Sequence, residues 1–140
     1  MSFLDELPHD HRELIVSLPY RVGAWISHAD DVGGDVADEE EKTALANILH
    51  GFTQDVFGSE VVQYVMAETI SRKQDWEKWA TETKNVSEDC QRAIDLLHDV
   101  VDEKEVNAFK QRLLEIAEAV ALAFREYDKL DFITKLRIYI

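Results

Sequence analysis

The sequence predicts an all-α, single-domain antiparallel bundle of about six helices, and three observations carry that reading. Gly occurs only at 23, 33, 34, 51 and 58 and Pro only at 8 and 19, so residues 59–140 contain neither. Hairpins need Gly, Asn or Asp turn chemistry at short intervals, and this stretch offers little of it. Apolar residues recur instead at three- and four-residue spacings, the period of a one-sided helix. Finally, 140 residues with 46% hydrophobic content make one core and are too few for two.

The first helix is expected from Asp10 to Ala29, with Leu14, Leu18, Val22, Trp25, Ile26 and Ala29 on one stripe. Pro19 either bends it or starts a new segment. Asp38 to about Val56 forms the next, with Leu45, Ile48, Leu49 and Phe52 inward, and Gly58-Ser59 reads as a stop followed by an N-cap. A long helix should then run from Ser59 to about Thr81, apolar at Val61, Val62, Val65, Met66 and Ile70. Beyond Ile70 it is nearly all polar apart from Trp76 and Trp79, so its far end should pack less well. The two tryptophans either cover the bundle's edge, helped by cation–π contact with Lys73 and Lys78, or offer an aromatic surface to a partner.

Ser87 to Val101 and Asp102 to about Tyr127 make the following pair. Val86, Cys90, Ile94, Leu97 and Val101 share a face of the former; Val106, Phe109, Leu113, Leu114, Ala117, Val120, Ala121 and Phe124 mark the latter. Cys90, the single cysteine, is thereby a small core residue. A short last helix, Asp131 to Ile140, places Phe132, Ile133, Leu136 and Ile140 either to close the core or to pair with another subunit in a homo-oligomer.

Charge narrows the function classes. Fifteen basic against 29 acidic side chains give −14, a polyanion that repels nucleic acid and anionic membranes and attracts cations or basic protein faces. The acidic N-terminus lacks a signal peptide's basic start and apolar core, and the longest apolar run is only Ala119 to Phe124. A cytoplasmic protein without membrane insertion is expected.

From His28 to Glu41 the chain holds seven carboxylates and no basic residue. That density is unfavourable unless water or a cation relieves it. Gly33-Gly34 allows a sharp turn that brings Asp30, Asp31 and Asp35 together, and hard cations such as Ca2+ or Mg2+ take such oxygen ligands. Asp38 and Glu41 stand where the ninth and twelfth positions of an EF-hand loop beginning at Asp30 would fall. Val32, Gly34 and Asp35 break that motif at its third, fifth and sixth positions. Helix capping accounts for Asp38 to Glu41 without a metal, as an N-cap with Glu at N3, but leaves Asp30, Asp31 and Asp35 unexplained.

His98-Asp99-Val100-Val101-Asp102-Glu103-Lys104-Glu105 faintly repeats the pattern, a His and Asp ending one helix and Asp-x-x-Glu starting another. Two related helix pairs and chance similarity between capping boxes both explain it.

Ala29-Asp30, a glycine-containing turn, and Asp38-Glu39-Glu40-Glu41 leading into Ala44-Leu45-x-x-Ile48-Leu49 resemble the alanine-aspartate-glycine, acid, glutamate signature of the TerB-like proteins associated with tellurite resistance. Three or four residues are inserted in Val32 to Val36, and the likeness covers residues 14–56. The resemblance implies paired helices, a divalent-cation site in which Asp30 or Asp31 supplies the aspartate and Glu41 the glutamate, and a non-enzymatic role in a stress-response assembly.

The alternative is a metal-dependent phosphohydrolase using His98-Asp99, with His9-Asp10 as a second such dipeptide. Its further ligands would have to come from His28 or His50 and Asp128 or Asp131. A di-iron bundle would need Glu-x-x-His on paired helices, and only Asp95-x-x-His98 approaches it. The chain offers no Gly-rich phosphate loop, nucleophile elbow or zinc-type spacing. A binding module is therefore the leading expectation, its acidic turn steering a protein partner with a basic face. Residues 125–140, with four basic and three acidic residues, form the contrasting, near-neutral end.

Overall fold

A computed structural model describes residues 3–28, 39–52 and 59–123. Six α-helices form a single all-α domain, with no strand among the described residues: α1 (His9–His28), α2 (Glu39–Phe52), α3 (Glu60–Ser71), α4 (Trp76–Ala80), α5 (Val86–His98) and α6 (Glu103–Ala123). Short 3-10 turns, Phe3–Glu6 and Lys73–Asp75, precede α1 and α4. No described helix is long and apolar enough to cross a membrane. The expected helix Asp131 to Ile140, with Phe132, Ile133, Leu136 and Ile140, lies outside the described residues, as do Ala29 and Phe124.

The organising element is α1, which packs against all five other helices. Every residue from 15 to 24 is buried, so the expected single stripe is widened to the whole circumference. A helix apolar on all sides belongs at a core's centre. Leu18, Val22 and Ile26 are fully enclosed as the stripe predicted, and Ile15, Val16, Tyr20 and Ala24 join them from other faces. Pro19 neither splits nor ends the helix. An interior proline sacrifices a backbone hydrogen bond and costs about 3 kcal/mol, a penalty that burial of the surrounding residues offsets.

Gly23 is where three helices close up. A Cβ there would lie 2.5 Å from Leu45 Cδ1 on α2 and 3.5 and 3.7 Å from Val120 and Ile116 on α6. Leu45 and Leu49 are buried on α2, while Ile48 and Phe52 are half-buried against the core.

Ser59 caps α3 as expected, its Oγ accepting from the Val62 N–H at 2.9 Å. The expected long helix from Ser59 to Thr81, however, breaks after Ser71. Arg72 leaves helical geometry (φ −94°, ψ 31°), and its guanidinium is engaged by Glu13 at 2.8 and 2.9 Å and by Asp75 at 2.7 Å. The break redirects Trp76 and Trp79 into the core, so the end expected to pack poorly is well enclosed. Trp76 stacks on Tyr20 at 4.8 Å between centroids, and its indole N–H donates to the Thr69 carbonyl at 2.9 Å. Lys73 lies over Trp76 as the sequence suggested, but the cation over Trp79 is Arg72 rather than Lys78.

On α5, Val86, Cys90, Ala93, Ile94 and Leu97 form the buried stripe. The helix ends at His98, and the half-buried Val101 follows it. On α6, the buried face comprises Val106, Phe109, Leu113, Ile116, Ala117, Val120 and Ala121, together with Arg112.

Candidate functional site

The acidic segment joins α1 to α2. Asp30, Asp31, Asp35 and Asp38 lie outside the described residues; Glu41 belongs by its backbone to the first turn of α2, with Glu39 and Glu40. The positive end of the helix dipole makes a first turn a favourable place for acids.

The described helices do bring the residues that flank the segment close together. Gly23, Leu45 and Val120 meet at one point, and each lies within six residues of its helix end at His28, Glu39 or Ala123. At 1.5 Å per residue, all three ends are within about 9 Å along their own axes of that meeting point. His28 and Glu39 flank the connection within residues 28–41, which carry −7, and Ala123 precedes residues 125–140, which carry +1.

The repeated pattern at the α5–α6 turn is fully described, and its acids serve helix ends. Asp102 Oδ1 accepts the Glu105 N–H at 3.0 Å, the N-cap half of a capping box. Glu105 does more than the box requires: its Oε2 accepts the Val61 N–H at 3.1 Å, capping α3 beside Ser59. A carboxylate on one helix thereby satisfies the first turn of another, 44 residues away.

His98 and Asp99 are both exposed at the end of α5, and the exposed Asp95 accepts from Gln91 at 3.0 Å. Among the described residues no three His, Cys, Asp or Glu side chains come together as a metal-binding group. Of the further ligands the hydrolase reading needs, His50 is exposed on α2, whereas Asp128 and Asp131 lie outside the described residues, as does the side chain of His28.

Polar structure that the sequence did not single out lies around the arginines. Arg21, enclosed in the centre of α1, donates through Nε to the Glu82 carbonyl at 2.8 Å and pairs with Asp89 at 2.5 Å. It ties α1 to the α4–α5 connection and to the first turn of α5. Arg72 bonds Glu13 and Asp75, and Arg12 pairs with Glu68 at 3.2 Å and Asp5 at 3.6 Å. The Arg72 hydrogen bonds hold the Glu13 carboxyl below the usual carboxylate range, against the opposing effect of burial. Arg112, buried on α6, donates to the carbonyl of Phe52, the last residue of α2, at 3.3 Å and lies 4.8 Å from that ring's centroid. The available signal for Arg21 was its isolation as the one charge in an otherwise uncharged stretch from Ile15 to Ile26.

Cys90 is enclosed, and burial pushes its thiol up to about 12, outweighing the opposing charge of Arg21. A thiol held neutral is a core group, not a nucleophile. The chain finds no match among protein-family models, curated proteins or solved structures.

Proposed function

We propose that this chain is a non-enzymatic, acidic helical binding module whose α1–α2 turn takes a divalent cation, Ca2+ or Mg2+, and steers a protein partner with a basic face. Asp30, Asp31 and Asp35 supply the ligands, with Asp38 and Glu41 completing the set or capping the helix. The TerB-like resemblance of residues 14–56 supports the same reading and suggests a stress-response assembly as its setting. The observation that carries the proposal is the segregation of charge. Seven acids and no base fall in residues 28–41, while Arg12, Arg21 and Arg72 are engaged by Asp5, Glu68, Asp89, Glu13 and Asp75 elsewhere in the fold. Hard cations favour clustered carboxylate oxygens, and basic protein faces are drawn by the same field.

Calorimetric titration with Ca2+, Mg2+, Mn2+ and Zn2+ tests the cation. The expected result is binding heat and a higher melting temperature at millimolar metal, both lost when Asp30, Asp31 and Asp35 are changed together to Asn. No heat and no thermal shift in the parent overturns the metal site. Stoichiometric Fe, Mn or Zn retained through desalting, with phosphodiesterase turnover, would replace this reading with the His98-Asp99 hydrolase. For docking, a partner captured at low salt should be released at high salt and be missed by the triple variant; identical captured sets would count against it.

A further inference from the structure

We draw no further inference here: the strongest candidate, the exposed acidic surface patch of Asp95, His98, Asp99 and Asp102 at the α5–α6 turn, does not converge as a ligand set, its Asp95 and Asp102 already bond within the fold, and no second feature among the described residues points to a ligand there.

Discussion

Helices α1 and α5 carry apolar residues at the same spacing yet occupy opposite situations. On α5 the buried stripe of Val86, Cys90, Ala93, Ile94 and Leu97 faces inward while Glu88, Arg92, Asp95 and His98 are exposed. On α1 no residue from 15 to 24 is exposed, including Ser17, Pro19 and Arg21. A surface helix needs only one apolar side and tolerates any polar residue on the other. A central helix must find partners for the polar side chains of its buried stretch, and between residues 15 and 24 α1 does so: Ser17 Oγ turns back to the Leu14 carbonyl at 3.1 Å, and Arg21 reaches Glu82 and Asp89.

The sharpest way to break this contrast is to truncate both helices. Val16 and Leu18 lie on faces of α1 about 200° apart, and neither has any exposure. Leu18→Ala should destabilise by about 2–5 kcal/mol, and Val16→Ala should also be clearly destabilising. On α5, Ile94→Ala should resemble Leu18→Ala, whereas Arg92→Ala should stay within about 0.5 kcal/mol. Urea unfolding measures all four, and a neutral Val16→Ala would mean that α1 has a solvent side.

This contrast also explains what could be read from residues alone. The stripe on α5, most of that on α6 and the Ser59 cap rest on local patterns and were readable. The depth of α1 depends on all five other helices closing around it, and no local period reports it. The break after Ser71 is likewise fixed at long range, by Glu13 on α1 holding Arg72 and by Tyr20 stacking on Trp76. In the acidic turns the sequence exposed the charge but not its use. Glu105 looked like half of a capping box, and the Val61 N–H that it caps belongs to another helix. For Asp30, Asp31 and Asp35, charge density and the glycine pair were the whole signal.

Arg21 offers the next largest effect. Breaking a buried ion pair by removing one partner costs about 3–5 kcal/mol. The side chain of Asp89 retains 26% exposure, so Arg21→Ala should fall lower, at about 2–3 kcal/mol. Adding Asp89→Asn should recover part of the loss, because it removes the charge left unpaired. A double variant no more stable than Arg21→Ala would show that lost packing of the arginine stem, not the stranded carboxylate, dominates.

Gly23 sharpens the same point in the opposite direction. Ala should favour the helix by about 1 kcal/mol over Gly. The new Cβ would meet Leu45 Cδ1 at 2.5 Å, and the displaced leucine is itself buried among α1 and α6 residues. Overpacking of this kind costs about 1–3 kcal/mol, so Gly23→Ala should be destabilising by about 1 kcal/mol net. With Leu45→Ala in the background the clash disappears, and the same substitution should become stabilising. Additivity across this cycle would mean that Leu45 does not limit the approach of α2.

The smallest expected effect tests how α1 holds the break between α3 and α4. Glu13 accepts two hydrogen bonds from Arg72, but its side chain keeps 29% exposure, and solvent screening limits the pair to about 0.5–1 kcal/mol. Its carboxyl is lowered in the folded state from 4.5, chiefly by the Arg72 hydrogen bond, with His9 assisting and Asp75 opposing. A depressed carboxyl pKa stabilises the fold fully above the unfolded value and loses that contribution as pH falls through the folded value. Glu13→Gln should therefore be less stable than the parent at pH 7, and the gap should narrow as pH falls from about 5 toward 3. Equilibrium unfolding of both proteins across that range measures it. A gap that stays constant would assign the loss to amide geometry at Arg72 instead of charge; a gap that widens on acidification would mean that the folded state raises the Glu13 pKa, and that Arg72 does not hold the carboxylate as its hydrogen bonds indicate.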